Sequence, residues 1–270
     1  MLKQRIITAL VLAIGSILAL FFASDSVWVG LMLALSVMAA WEWSGFAGLT
    51  RSLPRIIYVL TVLGSSVLGI WFSNFNSVLL LTLFEVAVLT VFVVRFQRAK
   101  GQKSASSNWK VLGLGLLFID LFCVAMIELR ALYSAELLLL SLFTIWAVDT
   151  GAYFSGRKFG RKKLAQYVSP GKTWEGVYGG VLLAFVVSFT GLYLLQPDLK
   201  WPMLAVSAAA ALIAMFSVMG DLFESVLKRQ ANLKDSGSIL PGHGGVLDRI
   251  DSLLIAVPLF LLLWQLVVRQ

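Results

Sequence analysis

Apolar stretches of about 17 to 25 residues recur along the whole chain, separated by short polar connections, and each is long enough to cross a hydrocarbon core of about 30 Å as a helix. The pattern predicts spans over 6–23, 27–46, 56–72, 77–94, 111–129, 136–154, 177–195, 202–220 and 250–268, with the eighth running on as helix into the 220s. The first stretch follows Met1-Leu2-Lys3-Gln4-Arg5 and so has the basic-then-apolar form of a secretory leader. It is longer than the about 7 to 15 residues of a leader core and further spans follow it, so it reads as a transmembrane helix. The expected fold is an all-α polytopic membrane protein of about nine helices. Residues 1–130, spans 1 to 5, would form a scaffold or lipid-facing region, and 131–270 a catalytic region with loops 155–176 and 221–251.

Charge decides how those spans are threaded. Of the 22 lysines and arginines, 19 fall in alternate connections, and the other side holds only Arg130, Lys200 and Arg269. The positive-inside rule then puts the N-terminus in the cytoplasm and the C-terminus outside, which requires an odd number of spans. Composition agrees with a bilayer as the solvent: 59% of the 270 residues are hydrophobic and 13% charged, with mean hydropathy +0.89. The net charge of +8 lies mostly on one face, where it also attracts lipid headgroups and nucleotide polyphosphates. Short loops between spans leave no surface for nucleic acid. Cys123 is the single cysteine, so no intramolecular disulfide and no cysteine metal site can form. No phosphate loop of the P-loop type is present.

Chemistry concentrates around the connection between spans 8 and 9. On a continuing helix Asp221, Glu224, Ser225 and Lys228 share one polar face, at i, i+3, i+4 and i+7. Arg229, Lys234 and Asp235 follow, then Pro241-Gly242-His243-Gly244-Gly245, and Asp248, Arg249 and Asp251 open span 9. Charges at membrane depth persist where they pair, bind an ion or line a wet cavity. For this many, converging beside a glycine-rich turn, a functional site outweighs simple structural ion pairing. Three carboxylates suit a hard divalent cation such as Mg²⁺ sharing its shell with phosphate oxygens. His243 has no partner histidine, so zinc is disfavoured, and it reads equally as a turn residue or as a phosphate or acid–base group.

A second cluster, Ser169-Pro170-Gly171-Lys172-Thr173-Trp174-Glu175-Gly176, stands directly before span 7 and reads as a turn opening a helix, with hydroxyls, an ammonium and free N–H groups for an anion. Asp149, at the end of span 6, falls on the same side by the threading above.

The stretch from Ser225 to Asp251 resembles the signature of the phosphatidate cytidylyltransferase (CDP-diacylglycerol synthase) family: Ser, a hydrophobic spacer, Lys-Arg, Lys-Asp, Pro-x-His-Gly-Gly and Asp-Arg-x-Asp. Ser169 to Gly176 is similar to the family's Ser-Pro-x-Lys-Thr-x-Glu-Gly segment. The resemblance implies transfer of a cytidylyl group from CTP to phosphatidate, giving CDP-diacylglycerol and pyrophosphate, by a membrane-embedded enzyme; the threading above puts the site on the cytoplasmic face of a cell inner membrane. It also implies Mg²⁺, with room for a second, monovalent cation, and members that can form homodimers. By the same carry-over Asp221, Asp248 and Asp251 bind metal, and Lys228, Arg229, Lys234 and Arg249 surround the phosphates. Ser169, Lys172, Thr173, His243, Gly244 and Gly245 hold substrate, and Asp149, Glu175, Glu224, Ser225 and Asp235 are further candidates. Glu42, Glu85 and Asp120 lie before the matching stretch and read as structural or as part of a lipid pathway. Two other classes fit less well: a CTP-dependent polyprenol or phytol kinase, which the long match disfavours, and an ion-coupled transporter, disfavoured because the two halves share no repeat and the acids cluster at one face instead of near the midplane.

Overall fold

The computed structural model describes residues 2–102, 108–240, 242 and 244–269, with side chains from residue 10 onward. Six helices come first: α1 Leu2–Phe22, α2 Asp25–Phe46, α3 Ser52–Phe72, α4 Phe75–Arg98, α5 Asn108–Leu132 and α6 Ala135–Phe159. A hairpin of β1 Lys163–Ala165 and β2 Ser169–Thr173 follows, then α7 Trp174–Leu195, α8 Met203–Met215, α9 Ser217–Ala231 and α10 Leu247–Val267. Among the described residues eight helices are long and apolar enough to cross a membrane, α8 and α9 counting together as Met203–Ala231, and Leu10–Phe22 is a shorter apolar helix. The protein is thus an all-α polytopic integral membrane protein, as its hydropathy pattern predicts. Helices are the economical answer to a bilayer because each satisfies its backbone hydrogen bonds internally. The eighth span does continue into the 220s, with a break at Phe216.

Helix starts follow local chemistry. Ser24 accepts from the Val27 N–H ahead of α2, and Asn74 and Ser77 form a reciprocal capping box at α4. Hydroxyls inside apolar helices are satisfied by back-bonding: Ser141 Oγ donates to the Leu137 carbonyl at 2.8 Å and Thr144 Oγ1 to the Leu140 carbonyl at 2.7 Å.

The chain forms two compact units. The first comprises Met1–Ser73, Ala105–Ala135 and Leu227–Ile250. Within it α2, α3 and α5 pack against one another. At one end of α2, Arg130 ion-pairs with Asp25 at 3.1 Å and stacks over Trp28 at 5.3 Å. At the other, Trp43 Nε1 donates to the Val111 carbonyl at 2.8 Å and Tyr58 Oη to the Leu112 carbonyl at 3.0 Å. Asp120, halfway along α5, accepts from Ser66 Oγ on α3 at 2.5 Å.

The second unit comprises Asn74–Ser104, Glu136–Val226 and Asp251–Gln270. Here α7 packs on α8, and Trp264 Nε1 of α10 donates to Ser141 Oγ of α6 at 2.8 Å. Small residues bring α6 and α7 close: a Cβ on Gly151 would lie 2.7 Å from the Gly179 carbonyl oxygen and 2.9 Å from Gly180 Cα. Such close approach is how helices associate where lipid removes the hydrophobic drive between them.

Candidate active site

In the second unit the segment expected as a turn before span 7 is the second strand of a hairpin. β1 and β2 pair antiparallel, Lys163 opposite Thr173 and Ala165 opposite Ser169. Pro170 is compatible with a two-stranded ribbon, in which each strand is an edge strand. The expectation failed because Ser-Pro-Gly reads locally as turn chemistry, whereas the partner strand that extends it is recognised only by pairing. Thr173 still opens the helix: as N-cap of α7 its Oγ1 accepts from the Gly176 N–H at 3.2 Å. Glu175, in the first turn, braces the foot of the hairpin by accepting from the backbone N–H of Arg161 at 3.0 Å and of Lys162 at 3.2 Å.

This hairpin, α6 and α9 enclose a pocket of about 450 Å³ whose lining includes Asp149, Ser169, Lys172, Thr173 and Asp221. Lys172 Nζ forms an ion pair with Asp221 Oδ2. Tyr153 and Arg157 also line it, and Arg157 donates to Tyr153 Oη at 3.3 Å. Both were missed from sequence; their signal was position, one and two turns beyond Asp149 on the same helix face. Gly220, one residue before Asp221, lets α9 approach α10 so closely that a Cβ there would overlap the Asp251 carbonyl oxygen. The pocket therefore gathers two carboxylates, two cations and three hydroxyls in a half-open cleft, a set that suits a polyphosphate and its counter-ion.

In the first unit the turn between α9 and α10 is built around a different carboxylate. Asp248 accepts from Lys228 Nζ at 2.8 Å, from the Gly245 N–H at 2.8 Å and from the Ser236 N–H at 3.0 Å. Gly244 adopts a φ of +83°, open to glycine at little cost, and its carbonyl accepts from the Leu240 N–H at 3.0 Å. Beneath the turn lies Glu42 of α2, 3% exposed, which accepts from the N–H groups of Val246 at 3.0 Å and Leu247 at 2.9 Å and from Ser236 Oγ at 3.1 Å. The reading of Glu42 as merely structural or part of a lipid pathway did not foresee this contact. A charge inside an apolar run needs partners, and that was the available signal.

The other expected residues are placed more simply. Glu224 is buried on α9 and Ser225 half-buried beside it, while Arg229, Lys234, Asp235 and Arg249 are exposed. The polar face expected on α9 is real in spacing, yet its ends have separate partners: Asp221 pairs with Lys172 and Lys228 with Asp248. His243 lies outside the described residues.

Among the described residues no group of three or more His, Cys, Asp or Glu side chains is arranged to hold a metal ion. The pocket's two carboxylates, Asp149 and Asp221, nevertheless fit Mg²⁺, which takes oxygen ligands and is usually held by one or two carboxylates together with substrate phosphates.

Known proteins resemble this chain along nearly its whole length. The cytidylyltransferase family model matches residues 3–267. The chain is 41% identical to a phosphatidate cytidylyltransferase of Pseudomonas aeruginosa over 98% of its own length and 97% of the relative's. It is 38% identical to that of Haemophilus influenzae, covering 96% and 97%, and 32% identical to that of Thermotoga maritima, covering 98% and 97%.

Proposed function

Because this chain belongs to the cytidylyltransferase family, we propose that it transfers the cytidylyl group of CTP to phosphatidate, producing CDP-diacylglycerol and pyrophosphate for phospholipid synthesis. The observation that carries the reading is the Lys172–Asp221 ion pair inside a pocket shared with Asp149, Ser169 and Thr173. Two residues 49 positions apart, one inside the motif 169–176 and the other four residues ahead of the motif 225–251, thereby contribute to one anion-binding cleft.

A phosphate oxygen of phosphatidate attacks the α-phosphorus of CTP, forming the new P–O bond as the bond to the bridging α–β oxygen breaks and its electrons leave with pyrophosphate. A phosphomonoester is already anionic near neutral pH, so no strong general base is required. The chain's work is positioning and charge neutralisation. Lys172 offers its ammonium to the phosphates, exchanging Asp221 for substrate oxygen. Arg157 supplies a second, forked donor at the pocket wall. Ser169 offers a hydroxyl, while Thr173 holds the hairpin to α7. By the family resemblance His243, Gly244 and Gly245 also hold substrate, and Lys228, Arg229, Lys234 and Arg249 surround its phosphates.

We assign Mg²⁺ to Asp221 and Asp149 of the pocket, with Asp251 carried over from the family resemblance. When bound, the ion would neutralise phosphate charge and favour pyrophosphate departure. The positive-inside pattern supports a site facing the cytoplasm from an inner membrane, where CTP is available and the lipid's acyl chains stay in hydrocarbon. A second copy of the chain is the protein partner the family implies.

The test is incubation of the purified protein in detergent with labelled CTP, Mg²⁺ and phosphatidate, with a polyprenol in a parallel reaction. Labelled CDP-diacylglycerol is expected. Transfer of the γ-phosphate to the alcohol, or no product from either acceptor, would overturn the assignment.

A further inference from the structure

Glu42 is a charged residue in the apolar second span, and its carboxylate is consumed entirely by one distant segment. Three donors converge on it: the Val246 N–H, the Leu247 N–H and Ser236 Oγ, at 3.0, 2.9 and 3.1 Å. The two N–H groups are those of the first residue of α10 and the residue before it, where N–H groups have no intrahelical acceptor and the dipole favours an anion. Ser236 in turn links to Asp248 twice, its N–H donating to the carboxylate at 3.0 Å and its Oγ accepting from the Asp248 N–H at 3.3 Å. The chain of contacts therefore runs Glu42, Ser236, Asp248, Lys228, the last step at 2.8 Å.

Two features show that this fit is specific in shape as well as charge. A Cβ on Gly237 would overlap Glu42 Oε1, and one on Gly245 would overlap Ser236 Oγ and crowd Glu42 Oε2. Both glycines thus admit the carboxylate against bare backbone. The platform that carries Glu42 is itself fixed. Its neighbour Trp43 is hydrogen-bonded to α5 at Val111 and fully buried. Trp41 lies under the Arg55 guanidinium, 5.1 Å from ring centre, and Arg55 Nε donates to the Leu49 carbonyl at 2.7 Å. Rotation of this end of α2 is locked on both sides of Glu42.

We infer that Glu42 is a positioning residue for the reaction: from α2 it holds Ser236, Val246 and Leu247 in place and, through Ser236, sets the orientation of the Asp248 carboxylate and its partner Lys228. It touches neither substrate nor reacting atoms. This inference rests on the cytidylyl-transfer reading for its kinetic consequence, but its structural consequence is independent of that reading. Glutamine has the shape of glutamate but one acceptor oxygen, so in Glu42→Gln an NH₂ must face at least one of the three donors. Displacement should therefore begin in the turn and spare the helices.

The experiment compares full-length wild type, Glu42→Gln, Glu42→Ala and Ser236→Ala in detergent, by hydrogen exchange read out by mass spectrometry and by steady-state kinetics with CTP, Mg²⁺ and phosphatidate. In Glu42→Gln, exchange should rise in peptides covering 233–248 while peptides of α3 and α5 stay at wild-type rates. Its kcat should fall about ten-fold with KM for CTP changed less than two-fold, because misplaced transition-state groups cost rate more than ground-state binding. Glu42→Ala should lose about a hundred-fold. Combining Glu42→Gln with Ser236→Ala should cost less than the product of the two single losses, since they share one contact. Unchanged exchange in 233–248, a general rise across all helices in Glu42→Gln, or a wild-type kcat with altered exchange would each overturn the inference. If wild type itself makes no CDP-diacylglycerol, the proposed function falls, and the exchange pattern alone decides the role of Glu42.

Discussion

Lys172 and Asp221 form their ion pair in the open part of the cleft, with side chains 24% and 33% exposed. Pairs of that exposure contribute about 0–1 kcal/mol to stability, so their retention in a polar pocket points to work done on a ligand. Replacing either with alanine should leave accumulation and melting temperature close to wild type. The rate loss should be large, on the order of 10²-fold in kcat for Lys172→Ala, the scale of removing one preorganised charge-stabilising donor. Asp221→Ala and Asp251→Ala should nearly abolish turnover; wild-type activity in both, measured beside a thermal melt, would remove them from the ion's assigned ligands. Asp248 differs. Its side chain, 9% exposed, stands 2.8 Å from that of Lys228, 18% exposed, and it also accepts from two backbone N–H groups. Deleting it strands several donors at about 1–3 kcal/mol each. Asp248→Ala is therefore expected to lose activity and also to melt measurably below Asp221→Ala.

At the scale of elements, the hairpin and the α6–α7 contact determine whether Lys172 and Asp149 share a pocket. Glu175 ties the hairpin's foot to α7 through the Arg161 and Lys162 N–H groups. Glu175→Ala should loosen it, seen as faster proteolysis within 160–172 and a several-fold loss in kcat/KM, with the helices intact by circular dichroism. The α6–α7 contact depends on the absence of side chains at Gly151, Gly179 and Gly180. Gly151→Leu must part the two backbones; overpacking of this kind costs about 1–3 kcal/mol and moves Asp149 away from Lys172. The expected outcome is a lower melting temperature together with lost activity. A fully active Gly151→Leu would show that the pocket does not depend on this approach.

For the molecule as a whole, threading through the bilayer is the property to test. Single cysteines placed at residue 100 and at residue 198 in a Cys123→Ser background should be labelled from opposite sides of sealed vesicles, residue 100 from the cytoplasmic side. Labelling of both from one side would contradict the charge-based orientation. Excess chelator should abolish product formation, and added Mg²⁺ should restore it; full activity in chelator would remove the ion from the reaction.

Hydropathy along the chain was enough to establish the spans, and most boundaries agree with the helices to within a few residues, because crossing a fixed thickness of hydrocarbon is a requirement each segment meets on its own. The motif residues at 169–176 and 221–251 were legible for a similar reason: charges set in or beside apolar runs have few structural excuses. Partnerships were not legible. That Lys172 meets Asp221, that Glu42 holds up a turn some 200 residues away, and that Ser169–Thr173 is a strand all depend on which faces of which elements approach one another. Local composition averages over every rotation a helix could take about its axis. Only tertiary packing selects one rotation, and here it does so through contacts as small as the missing Cβ atoms of Gly151, Gly237 and Gly245.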